Sequence, residues 1–336
     1  MNKVVVVTGA SSGIGLSHAI YLTSLGYTVL GTSRKAEKIN LEALKEIYLR
    51  DHTKWKFLNK KKNQVKPVKS KIPKKIKTNL DTLLRKIKFY SMDVTDDISV
   101  KKAMSKIETD ATKLNGRGID VLINNAGLSY FHSAEFLSME DWKNTFETNL
   151  FGMVRVVKAV LPKMRERRSG QIINTSTLGA FISIPFQAHY SASKVAIKTF
   201  TEGLRIELKE FNIKVSTILP SDINTNFNIN MHGLSTDEGT TDKSNELKTM
   251  LENPPEPKSS PYYDAVKRTW KVIVQNLIVA PPPLTISKTV AKIIKAKKPK
   301  VNYKSGTFEQ KFLTFLIRRV VTDEFVDWLM PKYFGM

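Results

Sequence analysis

Residues 4–15, "VVVVTGASSGIG", constrain the fold more than any other stretch of the chain. Four successive valines suit a strand buried on both faces, and Thr8 and Gly9 end it. Gly9, Gly13 and Gly15 follow directly, at the start of a helix expected from about residue 13. Glycines in that position allow a tight turn and let the backbone approach a pyrophosphate, whose charge the free N–H groups and dipole of a helix N-terminus favour. The competing reading is a glycine-rich turn with no ligand. The apolar run is short and carries one lysine, so it reads as a strand and not as a signal peptide.

The rhythm set by this unit continues. "YTVLGTS", "IKFYSMDV", "IDVLINNAG", "GQIINTS" and "IKVSTILP" are strand-like, and helical stretches are expected from about residues 35 and 97, from 138 to 164 and from 188 to 211. "KVNYK" near residue 301 suits a last edge strand. Alternation of this kind implies right-handed crossovers and one α/β domain: a doubly wound parallel sheet, a Rossmann fold, with helices on both faces. We place it at residues 1–306, with a lysine-rich surface insertion at 51–80 and a partly helical substrate lid at 222–283. An amphipathic tail occupies 307–336. No run of some 18 apolar residues suggests a membrane-spanning helix, and the absence of cysteine excludes disulfides and thiolate chemistry. A cytoplasmic protein is expected, so redox chemistry would need a borrowed cofactor.

The second strand ends in "GTSRK". No acid stands there to bind a ribose 2′-hydroxyl, and Ser33 and Arg34 can meet a 2′-phosphate. NADP(H) is therefore favoured, with NAD(H) the second choice; the alternative for Arg34 is a solvated helix cap. Tyr190 and Lys194, in "YSASK", are four residues apart and share one helical face. A phenol is a poor base at neutral pH, so catalysis by Tyr190 needs a field such as the Lys194 ammonium to lower its pKa. A Tyr/Lys pair alone is more often a surface contact.

With these motifs in hand, the chain resembles the classical short-chain dehydrogenase/reductase family over most of its length. "TGASSGIG", Asp93, "NNAG", Asn149, Ser176, "YSASK" and "LPSDINT" appear in the family's order. The resemblance implies hydride exchange between a nicotinamide and an alcohol or ketone, with Tyr190 moving the proton. Lys194 would also bind the nicotinamide ribose, Ser176 would donate to the substrate oxygen, and Asn149 would hold a water linking Lys194 to solvent. It assigns Gly9, Ser11, Ser12, Gly13, Ile14 and Gly15 to the pyrophosphate turn and Asp93, Val94, Asn125, Ala126 and Gly127 to the adenosine side. Pro220, Ile223 and Thr225 fall near the nicotinamide. Ser221 departs from the family's glycine, which puts that turn's geometry in question. A scaffold that senses nucleotides or binds nucleic acid without catalysis is the alternative function. The histidines His18, His52, His132, His189 and His232 show no metal-ligand spacing, so no metal is expected; His189 is structural or at most substrate-facing.

The net charge is +23, from 54 Lys+Arg against 31 Asp+Glu, and eleven lysines with no acid lie between Lys54 and Lys77. Trp55 and Phe57 among them would suit nucleic-acid stacking; a solvated loop is the favoured reading, and anionic lipid is a third. In the tail, Phe308, Phe312, Phe315, Leu316 and Arg319 fall at helical spacings. Such an end packs on its own domain, on a subunit of a homo-oligomer or at a membrane interface. It is similar to the tails of the hydroxysteroid and retinol dehydrogenase-like branch, which implies a hydrophobic alcohol or ketone substrate.

Overall fold

In the computed structural model, residues 3–59, 64–68, 72–225, 249–307, 312 and 322–336 are described. The chain runs β1 (Val4–Val7), α1 (Gly13–Ser24), β2 (Thr28–Ser33), α2 (Leu41–Asp51), β3 (Lys54–Asn59), β4 (Gln64–Val68), α3 (Lys74–Thr78), α4 (Leu80–Arg85) and β5 (Lys88–Ser91). It continues through α5 (Asp97–Asn115), β6 (Val121–Asn124), α6 (Met139–Phe146), α7 (Gly152–Glu166), β7 (Gly170–Thr175), α8 (Ala188–Glu207) and β8 (Ile213–Pro220). The last elements are α9 (Tyr263–Val279), α10 (Leu284–Lys295), β9 (Asn302–Ser305) and α11 (Asp323–Phe334).

Seven parallel strands form the central sheet in the order β5-β2-β1-β6-β7-β8-β9. The chain thus winds outward from β1 in one direction and then, beyond β6, in the other, which opens a crevice at the carboxyl ends of β1 and β6. All four valines of β1 are fully buried. Their period of two divides the core: Val5 and Val7 pack with α1, α2, α4 and α10, whereas Val4 and Val6 pack with α5, α7 and α8. "KVNYK" supplies the edge strand β9, paired in parallel with β8.

Two expectations change in form. The long helix expected over 138–164 is two helices, α6 and α7, joined by a π turn at Glu147–Phe151 that carries Asn149. Turns of this type widen a helix locally and often mark functional sites. The lysine-rich insertion contains an antiparallel hairpin, β3–β4, in which Lys56 faces Lys66 and Phe57 faces Val65. Its apolar residues Trp55, Phe57 and Val65 join Phe131, Met250 and the α9 residues Val266, Trp270, Val274 and Ile278 in a small core apart from the sheet. Trp55 and Phe57 are therefore packing residues, and alternation turns Lys56 and Lys66 outward, where they are exposed. Lys60, Lys61, Lys62, Lys69 and Lys71 lie outside the described residues, as do Phe308, Phe315, Leu316, Arg319, His232 and the stretch 226–248.

At the far end of the chain, α11 leans on α9. Arg268 donates from Nε to the Gly335 carbonyl at 2.9 Å, and Asn276 donates from Nδ2 to the Tyr333 hydroxyl at 3.2 Å. No single helix among the described residues is long and apolar enough to cross a bilayer.

Candidate active site

A cavity of about 920 Å³ runs along the carboxyl ends of the strands, from Arg34 at one end to Tyr190 and α11 at the other. Of the residues expected to bind a cofactor, Gly9, Ser11, Ser12, Gly13, Ile14, Ser33, Arg34, Asp93, Val94, Asn125, Ala126, Gly127, Pro220, Ile223 and Thr225 all line it. Gly15 does not. A Cβ there would stand 2.1 Å from the Gly9 carbonyl oxygen and 2.6 Å from Asn125 Nδ2, so Gly15 lets α1 close on the turn. Gly13 has φ +51°, a left-handed conformation that glycine adopts without strain. Thr8 holds the glycine turn to the β6 end: its hydroxyl accepts from the backbone N–H of Asn125 and of Ala126 at 2.9 and 3.0 Å. Asn125 Nδ2 returns a hydrogen bond to the Thr8 carbonyl at 3.1 Å. A narrow cleft with a helix N-terminus on its floor fits a dinucleotide pyrophosphate.

At the Arg34 end the cavity also meets Lys35 and Lys38. The sequence reading stopped at Arg34; the short 3-10 turn at Ala36–Lys38 is what brings Lys38 back to the same wall. Asp93 is partly committed, since its Oδ1 accepts from the Thr95 backbone N–H and hydroxyl at 2.9 and 2.7 Å.

The other end gathers the residues expected to be catalytic. Both Tyr190 and Lys194 project from α8 into the cavity, with the Lys194 ammonium 5.5 Å from the Tyr190 ring centroid. Lys194 is buried and donates to the Thr175 carbonyl at 3.2 Å. Burial draws its pKa down to about 8. The Tyr190 phenol is pushed up instead, first by burial and then by the negative charge of Asp222, while a hydrogen bond from Thr177 opposes both. That direction is opposite to the lowering that catalysis by Tyr190 as a base needs.

The sequence reading placed Ser176 at the substrate oxygen and gave Thr177 no role. The Ser176 hydroxyl donates to the backbone carbonyl of Lys194 at 2.7 Å, so it ties β7 to α8. Thr177 is the hydroxyl in hydrogen-bond contact with Tyr190; its oxygen also lies 3.3 Å from the Pro220 carbonyl, and its single proton serves one of the two at a time. Successive residues leaving a strand point to opposite sides, and "NTST" offers hydroxyls on both. The side chain of Asn149 is buried and occupied: Oδ1 accepts from Leu128 N–H at 2.8 Å, and Nδ2 donates to the Leu128 carbonyl and to Ser193 at 2.9 and 3.0 Å. A water relay from Lys194 would have to use its main-chain carbonyl. Asn149 remains close: a Cβ on Gly127 would stand 3.0 Å from its Oδ1 and 3.4 Å from Lys194 Nζ.

His189 faces away from the reacting end. It is buried, accepts from the Tyr130 backbone N–H at 3.3 Å, and packs against Trp142 at 5.6 Å between ring centroids. The departure at Ser221 is accommodated across the β8–β9 pair. A Cβ at residue 306 would come within 1.8 Å of the Ser221 hydroxyl oxygen, and Gly306 supplies none. Asp222, Asn276 and Leu277, within the segment expected to form the substrate lid, and Leu329, Met330 and Tyr333, which the sequence reading did not place at the site, complete the wall. Asp222 follows β8, Asn276 and Leu277 come from α9, and Leu329, Met330 and Tyr333 come from α11, whose contact with the site has no local sequence signal.

The sequence matches the short chain dehydrogenase family model over residues 3–86 and 60–233, two stretches that overlap at the inserted hairpin. It is 30% identical over 309 residues to the 3-ketodihydrosphingosine reductase of Bacteroides thetaiotaomicron, covering 92% of this chain and 89% of that one. Human 17-beta-hydroxysteroid dehydrogenase type 2 is 26% identical over 338 residues, 99% of this chain and 74% of the relative. Human retinol dehydrogenase 8 is 32% identical over 229 residues, 67% and 60% of the two chains. Among solved structures, a short-chain dehydrogenase from Streptomyces avermitilis superimposes with a TM-score of 0.66 at 24% identity, covering 97% of this chain and 96% of that one. A serine dehydrogenase complexed with NADP+ reaches a TM-score of 0.60 at 21% identity, over 91% and 95%. The chain belongs to the short-chain dehydrogenase family, as an oxidoreductase of its hydroxysteroid and retinol dehydrogenase-like branch.

Proposed function

We propose that this protein is an NADP(H)-preferring oxidoreductase that reduces the ketone of a hydrophobic, lipid-like substrate to a secondary alcohol. The observation that carries the reading is the meeting of Tyr190, Thr177 and Lys194 at one end of a cavity whose other end is the glycine turn. A bound nicotinamide supplies the hydride. In reduction Tyr190 gives its proton to the substrate oxygen, and burial favours the protonated phenol that this step requires. Thr177 orients the Tyr190 hydroxyl and the same oxygen. Ser176 and Asn149 act through position, the first by fixing β7 to α8 and the second by fixing the loop after β6. Lys194 holds the ribose and carries positive charge below about pH 8.

The cofactor preference rests on Arg34, Lys35 and Lys38 at the adenosine end, where three cations suit a 2′-phosphate. The substrate class rests on the apolar wall built by Ile182, Ile184, Ile273, Leu277, Leu329, Met330 and Phe334, and on the relatives, among them one named for a sphingoid ketone and one for a steroid. NADPH oxidation measured with long-chain ketones, with NADH in parallel, tests both. Tyr190→Phe should abolish turnover while leaving NADPH binding intact. Equal rates with NADH would remove the preference, and turnover by the Tyr190→Phe protein would remove the mechanism.

Delivery of such a substrate calls for contact with a membrane. Leu329, Met330 and Phe334 of α11 face the cavity, whereas Phe325 and Trp328 of the same helix are 46% and 55% exposed. A helix with one apolar face on the enzyme and aromatic residues turned to solvent suits peripheral binding, which a chain of net charge +23 would strengthen on anionic lipid.

A further inference from the structure

Helix α2 ends without the glycine that commonly closes a helix, and its last carbonyls find other donors. The Tyr48 carbonyl accepts from His52 Nδ1 at 2.7 Å, that of Leu49 from the Thr53 hydroxyl at 3.0 Å, and that of Arg50 from the Thr53 backbone N–H at 3.1 Å. The carbonyls of Asp51 and Thr53 are met from 173 and 171 residues away, by Nδ2 of Asn224 at 3.3 and 3.2 Å. Asn224 is 4% exposed, and its own backbone N–H donates to the Pro281 carbonyl at 3.2 Å, in the bend between α9 and α10. One side chain therefore ties the loop after β8 to the end of α2 and to the root of the inserted hairpin, whose first strand begins at Lys54.

That loop borders the cavity on either side of Asn224. Ile223 and Thr225 line it, and Thr225 lies against the glycine turn, where a Cβ on Gly13 would stand 3.4 Å from the Thr225 Cβ. Asn224, between them, turns the other way, into the protein. At the adenosine end, Asn40, Ala43 and Leu44, at the start of α2, line the same cavity. Helix α2 thus runs from one end of the dinucleotide cleft to the carbonyls that Asn224 holds. The hairpin is fixed in turn by Trp55, Phe57 and Val65, which pack against α9. A ligand that touches a loop binds more tightly when the loop is already ordered, because little freedom is then lost on binding.

We infer that Asn224 is a positioning residue that couples α2 and the lysine-rich hairpin to the loop bearing Ile223 and Thr225, and so sets the affinity for a nicotinamide dinucleotide. The inference rests on occupation of the cavity by such a dinucleotide. It gives the inserted hairpin a part in cofactor binding, although none of its described residues lines the cavity.

NADPH binding, followed by its fluorescence, is the measurement, and adenosine 2′,5′-bisphosphate, which lacks the nicotinamide half, is the competing ligand. Asn224→Leu should raise the Kd for NADPH roughly tenfold, the effect of one or two lost hydrogen bonds, and leave that for the bisphosphate unchanged. Asn224→Gln, which keeps the amide donors, should recover part of the loss; Asn224→Asp, which keeps the shape without the donors, should not. Phe57→Leu, which loosens the hairpin on α9, should raise the NADPH Kd by a smaller factor and add nothing in the Asn224→Leu background, since both act through one link. Thermal unfolding establishes that each variant is folded; where Asn224→Leu does not fold, Asn224→Asp and Phe57→Leu carry the test. An unchanged NADPH Kd in a folded variant without the amide donors or in Phe57→Leu, equal losses for both ligands, or additive effects in the double variant overturn the inference while leaving ketone reduction in place. Failure of the wild type to bind either nicotinamide dinucleotide overturns the inference and the proposed function together.

Discussion

Thr177 and Ser176 show how finely the reacting end is set. Both hydroxyls line the cavity, yet one meets Tyr190 and the other is spent on a backbone carbonyl. Thr177→Val should therefore lower kcat on the order of a hundredfold, the usual cost of losing one positioned donor at a developing oxyanion. Ser176→Ala should act on stability, by about 1 kcal/mol, and change kcat far less. Steady-state kinetics with thermal unfolding of the two variants separates the roles, and equal losses of kcat would contradict the assignment. The Tyr190/Lys194 pair could be singled out in the sequence only together with the glycine turn, Asn149 and Ser176, because its spacing alone is weak evidence. Which of two adjacent hydroxyls faces it was not legible, because that depends on the twist with which β7 leaves the sheet.

At the scale of elements, the wall over the cavity is pinned by Glu256. Its buried carboxylate accepts from the Ser133 and Ser260 hydroxyls at 2.6 and 2.7 Å, from the Ser133 backbone N–H at 3.2 Å, and lies 3.1 Å from His132 Nδ1. Burial opposes its ionisation, but these hydrogen bonds prevail and hold the carboxyl below the usual range. The latch joins the segment before α9 to the loop after β6. Glu256→Ala would leave the hydroxyls of Ser133 and Ser260 without their acceptor, at a cost of about 2–4 kcal/mol. Limited proteolysis between residues 249 and 262 should quicken, and KM should rise more than kcat falls. The hairpin β3–β4 belongs to the same assembly. Lysines dominate its composition and hide the alternation of Trp55, Lys56 and Phe57 that marks a strand, so its packing against α9 could be seen only once both elements were in place.

On the scale of the whole molecule, a buried polar cluster joins α1, the end of α2 and α10. Ser287 lies 2.9 Å from both Ser17 and His18 Nδ1, Ser17 lies 3.3 Å from His52 Nε2, and His52 Nδ1 lies 2.7 Å from the Tyr48 carbonyl. Burial lowers the pKa of His18 to about 3 and of His52 to about 4. The folded state therefore binds fewer protons than the unfolded chain below about pH 6.5, the ordinary histidine value. Stability should be complete above that pH and fall progressively as pH drops toward 4, by up to about 3 kcal/mol for His52 alone. Urea unfolding across pH 4–7 checks this, and a flat profile would show that the cluster opens to solvent at little cost. The proposed membrane contact also belongs to this scale. Co-flotation with anionic vesicles should be lost at high salt and reduced in Phe325→Glu/Trp328→Glu; flotation unchanged by both would place the contact elsewhere.

Strand-helix alternation, the glycine turn and the Tyr190/Lys194 spacing are local patterns, and from them the sequence by itself determined the sheet, the dinucleotide cleft and the shared helical face of Tyr190 and Lys194. Periodicity and turn chemistry act over a few residues, so one chain suffices to show them. The wall opposite Tyr190 was decided only in three dimensions. Asp222 comes from a strand end, Asn276 from α9, Tyr333 from α11 and the support beneath them from an inserted hairpin. Those segments are far apart in sequence and meet because each buries apolar surface that none can bury alone.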